Sequence, residues 1–189
     1  KNSGRRIAGI VTTHILGYAS DIKKIQHIAK KYHLVIVEDA AEALGSKLDN
    51  KYLGTFGDLG CFSFNGNKLI TTGSGGMLVT NKKKYAILAK HLSQQAKKSE
   101  NNYIHTDIGY NYRMSNIQAA IGLAQLIDIE YRLKQKRKIH YLYKKKFANI
   151  KTVFFPEEVK LSQSSYWLNT VRVLSKRPEL KSRNIQNKL

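Results

Sequence analysis

An α/β fold built on a mostly parallel sheet is what this sequence predicts, and three observations predict it. Leu34-Val35-Ile36-Val37 is a fully apolar, β-branched run of the kind found in a parallel sheet covered on both faces. A second short apolar run, Ile7-Ala8-Gly9-Ile10-Val11, precedes it, and a helical pattern lies between them, so the stretch reads as a βαβ unit. Asp39 then falls at the carboxyl end of the second strand, where open α/β sheets place their ligand chemistry.

Each element has its own signal. Asp21 can cap a helix running to about Tyr32, with Ile22, Ile25, Ile28 and Ala29 on one face. Lys47 to Phe56 carries an Asp49-Asn50 turn and predicts a small hairpin. Gly60 to Phe64 and Met77 to Thr80 are further strands, the latter entered through Gly75-Gly76. Lys82 to about Lys98 reads as a helix, and Ser99 to Tyr112 as an irregular polar loop. Ser115 and Gln118 have capping-box spacing. Behind them Ile117, Ala120, Ile121, Ala124, Ile127 and Tyr131 form one apolar face. Continued to about Phe147, that helix would hold ~30 residues and span ~45 Å, enough to link two domains. Thr152 to Phe155 is a weak strand, Tyr166 to Leu174 a stronger one, and Pro178 to Leu189 looks helical.

Composition bounds the function. The chain has 189 residues and 42% hydrophobic content, enough for one domain with a real core or one domain plus part of another. Cys61 is the single cysteine and excludes an internal disulfide; in the run Gly60-Cys61-Phe62 it reads as a buried, inert thiol in a reducing, cytoplasmic compartment. No apolar run approaches the ~20 residues of a membrane span. Lys and Arg number 33 against 13 Asp and Glu, a net charge of +20, which by itself suggests nucleic acid, an acidic membrane or a phosphorylated ligand. The basic residues are dispersed, with Lys82-Lys83-Lys84, Lys97-Lys98 and Lys144-Lys145-Lys146 on or beside predicted helices, so the charge reads as solvated faces. The six histidines share no metal-ligand spacing, and no metal site is expected.

The chemistry concentrates in two segments. Glu38-Asp39-Ala40-Ala41-Glu42 closes the second strand, and Phe62-Ser63-Phe64-Asn65-Gly66-Asn67-Lys68 follows, leading into Thr71-Thr72-Gly73-Ser74-Gly75-Gly76. An acid at a strand end followed by a lysine in a small-residue loop is what a pyridoxal phosphate site needs. The amine can bond to the cofactor aldehyde, and the carboxylate can keep the pyridine nitrogen protonated.

With Gly54-Thr55-Phe56-Gly57-Asp58 and Gly109-Tyr110-Asn111-Tyr112-Arg113-Met114-Ser115, these motifs come in an order that resembles the DegT/DnrJ/EryC1/StrS family of sugar aminotransferases, from about Arg6 to Trp167. The Phe64 to Lys68 wording resembles the branch acting on nucleotide-linked 4-keto-6-deoxy amino sugars, of the bacillosamine or legionaminic acid type. The resemblance implies the PLP-dependent transferase fold type I, aspartate aminotransferase-like. It implies an incomplete large domain over residues 1–130, then a linking helix and the start of a small α+β domain over residues 131–189.

It also implies roles. Lys68 matches the catalytic lysine bonded to pyridoxal 5'-phosphate, Asp39 the partner of the pyridine nitrogen, and Ala41 the small residue packed under the ring. Ser63 matches the hydroxyl on the cofactor phosphate, and Glu42 the contact to the ring hydroxyl where much of the family has glutamine. Asn111 matches an asparagine that reaches the phosphate of a neighbouring subunit's cofactor, which implies a homodimer with shared sites. Arg113 either binds an anionic substrate or pairs with an acid.

The implied reaction moves an amino group from glutamate to the 4-keto group of a nucleotide-linked sugar. It involves small-molecule substrates, with no specific nucleic acid and no membrane. Family chains run to about twice this length, so the sheet is expected to expose apolar edges and to be marginally stable alone. Two other readings are a remnant that keeps the fold without the activity, associating with a full-length partner, and a basic nucleic-acid-binding protein.

Overall fold

The computed structural model describes residues 4–99, 102–174, 184 and 187. The expected helix over Pro178 to Leu189 lies almost wholly outside these. Strands β1 (Gly9–Thr13), β2 (Val35–Asp39), β5 (Leu59–Ser63) and β6 (Gly76–Val79) form one sheet in the order β1-β2-β5-β6. The first three are parallel, in the registers Thr13↔Asp39 and Asp39↔Cys61, and β6 runs antiparallel to β5 with Ser63↔Gly76. The βαβ unit is therefore present, with α1 (Ile22–Tyr32) between β1 and β2. Asp21 caps it by accepting the Lys24 N–H.

The core lies between α1 and one face of the sheet. Ile22, Ala29, Ile36, Ala40, Ala43, Leu48 and Leu53 are buried there, with Ile25, Leu34 and Phe62 packed against them. Ile28, expected on the same face, is exposed. Cover on both faces is not what the structure shows. In β1 only Thr12 is buried while Val11 is exposed, and in β6 Met77 and Leu78 are exposed. Gly60 is required by a close approach: a side chain there would enter the Gly54 carbonyl.

The predicted hairpin is β3 (Lys47–Leu48) and β4 (Lys51–Tyr52). Asp49 and Asn50 both have positive φ, 50° and 60°, as a tight two-residue hairpin turn demands. The helix expected to reach Lys98 stops as α2 (Lys83–Ser93), because Gln95 and Ala96 adopt left-handed φ of 63° and 49° and turn the chain back. Lys97-Lys98 and part of the expected loop instead form an antiparallel pair of strands, β7 (Lys97–Ser99) with β8 (Asn102–His105).

The single long helix is two: α3 (Asn116–Ile127), with the predicted capping box in place, and α4 (Ile129–Lys146). The break falls at Asp128, where Ile-Asp-Ile puts three weak helix formers in a row and the Asp128 N–H is shared between Gln125 and Leu126 carbonyls. Only Arg172–Val173 of the strand expected over Tyr166 to Leu174 is extended, as β11, pairing with β9 (Val153–Phe154). Residues Ser164 to Trp167 are buried in the interior instead, and a short strand β10 (Ser162–Gln163) joins β3.

Candidate active site

Strand register assembles the site. Asp39 ends β2 and Ser63 ends β5, the neighbouring strand, so both sit at the carboxyl edge of the sheet. Both are half-buried. Asp39 Oδ1 accepts the Ala41 N–H at 3.1 Å, which fixes the carboxylate and turns the chain out of the strand. The Asp39 charge and, more strongly, burial push the neighbouring Cys61 thiol above its usual range; the thiol is half-buried rather than fully buried. Ser63 Oγ accepts the Asn65 N–H at 3.3 Å.

Lys68 lies in the loop between β5 and β6, and that loop is pinned at many points. Phe64 N–H donates to Gly75 O at 2.9 Å, and Thr72 N–H donates to Phe64 O at 3.0 Å. Leu69 and Ile70 are buried directly behind the lysine. From α3, Gln125 accepts the Thr71 N–H at 3.1 Å and donates to the Thr71 carbonyl at 2.6 Å, reproducing with one side chain the pairing a strand would give. Among the described residues Lys68 Nζ makes no ion pair; it rests over the Trp167 ring, 3.9 Å from its centroid.

Two residues given no role in the site by the sequence underlie this edge. His14 and Glu38 are fully buried and bonded, Nε2 to Oε2 at 2.9 Å. The Ser20 N–H donates to His14 Nδ1 at 3.2 Å, so Nδ1 is the acceptor and Nε2 carries the proton. Glu38 also accepts the N–H groups of Gly54 and Gly57. Burial alone would raise the Glu38 pKa, but His14 and these two amides outweigh it and hold the carboxyl below its ordinary range.

The pair joins β1, β2 and the 54–57 loop immediately beneath Asp39, whose carbonyl accepts the His14 N–H at 3.0 Å. The signal was present: Ile36, Glu38 and Ala40 alternate on the buried face, and a glutamate there requires a partner.

Glu42 is anchored through the turn after β1. Its Oε2 accepts the Leu16 N–H at 2.6 Å, and Leu16 has a left-handed φ of 57° that aims this N–H inward. Gly17, with φ 87°, leaves space that the Ser165 hydroxyl fills. Ala41 is half-buried beside it. Asn111 stands apart. It pairs with Gln94 and lines an open polar depression of about 470 Å³ with Gln95, Lys97, Ser99 and Arg113. No hydrogen bond joins it to Asp39, Ser63 or Lys68 among the described residues, and Arg113 is exposed and makes no ion pair there.

The C-terminal segment closes over this edge. Arg137 of α4 clasps Glu158 through two hydrogen bonds of 2.8 and 3.1 Å and donates to the Ser164 carbonyl. His140 stacks on Tyr166 with ring centroids 3.8 Å apart, and burial lowers its pKa. Burial and Glu158 push the Tyr18 hydroxyl up to about 12.

The donor set suits pyridoxal phosphate: a carboxylate whose second oxygen is unengaged among the described residues, a hydroxyl on the next strand, a small alanine, and an amine with no carboxylate partner among those residues. Among the described residues no group of histidines, cysteines and acids could hold a metal ion, and no helix is long and apolar enough to cross a membrane.

A parallel sheet that carries an acid and a loop lysine at its carboxyl edge defines the class as the α/β fold of pyridoxal-phosphate enzymes of fold type I. Within that class the chain belongs to the DegT/DnrJ/EryC1/StrS aminotransferase family, whose model matches residues 3–189. It is 43% identical to the GDP-perosamine synthase of Escherichia coli O157:H7 over 92% of this chain and 48% of that protein. It is 34% identical to the UDP-4-amino-4,6-dideoxy-N-acetyl-beta-L-altrosamine transaminase of Campylobacter jejuni, over 75% of this chain and 38% of that one. The aminotransferase TlmJ of Streptoalloteichus hindustanus superposes with a TM-score of 0.89 at 26% identity, covering 99% of this chain and 51% of TlmJ. The chain thus spans about half the length of the relatives it matches.

Proposed function

We propose that this chain carries the cofactor-binding part of a sugar aminotransferase. The enzyme would move an amino group from glutamate to the 4-keto group of a nucleotide-linked deoxy sugar, for cell-surface polysaccharide or glycan biosynthesis in the cytoplasm. The observation that carries the reading is the convergence of Asp39, Glu42, Ser63 and the Lys68 loop at one sheet edge in a chain of this family. Bound pyridoxal phosphate supplies an aldehyde and an electron-withdrawing ring. Lys68 Nζ would hold the cofactor through its aldehyde, with loss of water, and as a free amine would carry a proton away from the donor's α-carbon and deliver one to the acceptor carbon. Asp39 would keep the ring nitrogen protonated, Ser63 Oγ would bind the phosphate, and Ala41 would leave room for the ring. Glu42, with one oxygen fixed by Leu16, would contact the ring hydroxyl with the other.

Asn111 acts in a second subunit's site, which makes the working unit a homodimer; its pairing with Gln94, with no hydrogen bond to Lys68 among the described residues, is compatible with this. Arg113 beside it is placed to take the negative charge of the sugar nucleotide. The 4-keto assignment is supported by the Phe64 to Lys68 motif and by the 4-amino sugar in the name of the Campylobacter relative. A relative from Acidithiobacillus ferrooxidans, 37% identical over 64% of this chain, is named for a 3-amino transfer. Incubating the cofactor-loaded chain with glutamate should yield 2-oxoglutarate. With 3-keto and 4-keto nucleotide sugars offered side by side, the product should carry nitrogen at C4 by NMR. No 2-oxoglutarate would contradict the activity, and nitrogen at C3 would contradict the regiochemistry.

A further inference from the structure

Trp167 is the single tryptophan of the chain, and it touches the candidate nucleophile from a distant part of the sequence. It is 7% exposed. Its indole N–H donates to the Asn67 carbonyl at 2.8 Å, one residue before Lys68, and the ring face receives Lys68 Nζ. Its own carbonyl accepts from Lys136 of α4 at 3.0 Å. The residues before it are fixed as firmly: the Ser165 N–H donates to Ser46 Oγ at 2.9 Å, and the Ser165 hydroxyl donates to the Glu42 carbonyl at 3.4 Å. Residues Ser164 to Trp167 therefore form an arm that leads from α4 to both Glu42 and Lys68.

An aromatic face holds an amine differently from a carboxylate. It attracts the cation through its quadrupole but forms no conventional hydrogen bond with it and takes no proton. The side chain is kept in place with no carboxylate bound to its protons, so that once a proton is lost the nitrogen lone pair is open to a carbonyl. We propose that Trp167 is the positioning residue for Lys68: the indole N–H sets the Asn67-Lys68 backbone, and the ring is the surface on which the amine rests. The role of Lys68 in bonding the cofactor rests on the function proposed above; the contact itself does not.

Two readouts separate these. In the NMR spectrum of the native chain, the Lys68 ε-methylene protons should lie upfield of the other lysines because of the indole ring current. That shift should vanish in Trp167→Leu and persist in Trp167→Phe, with circular dichroism reporting the fold of each. Pyridoxal phosphate labelling fixed by borohydride and mapped by mass spectrometry should favour Lys68 in the native chain. The preference should fall about tenfold in Trp167→Leu and far less in Trp167→Phe. An unshifted Lys68 signal in the native chain, or unchanged labelling in a folded Trp167→Leu chain, would overturn the proposal. A shifted signal without selective labelling would uphold the contact and overturn the cofactor role.

Discussion

The β5–β6 loop and helix α3 touch each other, yet they are completed in opposite ways. The loop satisfies itself: Phe64, Thr71 and Thr72 are bonded within it, Gln125 closes its back, and Leu69 and Ile70 are buried. Helix α3 is well capped but buries no residue fully, and Ile117, Leu123 and Ile127 are 75%, 65% and 80% exposed. What holds Lys68 is thus supplied by the described residues. What would cover α3 is not, and the same holds for Val11 on β1 and Met77 on β6. The Lys68 loop is determined locally, while α3 and the β1 and β6 side chains leave apolar surface uncovered among the described residues.

Several substitutions would break or sharpen this contrast. The largest effect is expected beneath the site. Glu38→Ala strands a buried histidine, a buried amide and a part-buried one, and should cost about 3–5 kcal/mol in urea denaturation. Ile70→Ala in the loop should cost about 2–5 kcal/mol, the usual range for a buried aliphatic. Gln125→Leu removes the paired bonds to Thr71 and should cost about 1–3 kcal/mol. Ile117→Ser and Ile127→Ser on α3 should change unfolding by about 0.5 kcal/mol or less, and should lower self-association in sedimentation experiments. A large loss of stability there would mean that the helix face is already packed.

Acid should act on the well-bonded part. His140 has a lowered pKa, so the unfolded chain binds the proton more readily, and stability should begin to fall as pH drops below the ordinary value of 6.5. Glu38, Asp58 and Glu158 are also lowered. Their contribution is complete above the ordinary carboxylate range and is lost as pH falls through their folded values. Melting temperature measured from pH 8 to pH 3 should therefore decline in two stages.

Much of this was legible in the sequence, for identifiable reasons. The strands around Asp39 and Ser63 declared themselves because apolar runs and small residues set them locally. The capping box at Ser115 and the Asp49-Asn50 turn did so through backbone geometry that few other residues tolerate. Three features were not legible. The break at Asp128 is a small local preference inside a continuous helical pattern. The reversal at Gln95-Ala96 uses residues with no turn signature. The burial of Ser164 to Trp167 arises from contacts with Ser46, Glu42 and Asn67, more than a hundred residues or about a hundred residues away. Trp167 was invisible as a site residue because only the fold brings it to Lys68.

Titration with pyridoxal phosphate decides whether the described residues build a cofactor site around Lys68. Native chain and Lys68→Ala would be followed in parallel by visible absorbance. A band that saturates in the native chain and is lost in the variant is expected. No saturable band, or an equal one in both proteins, would rule out a site at Lys68.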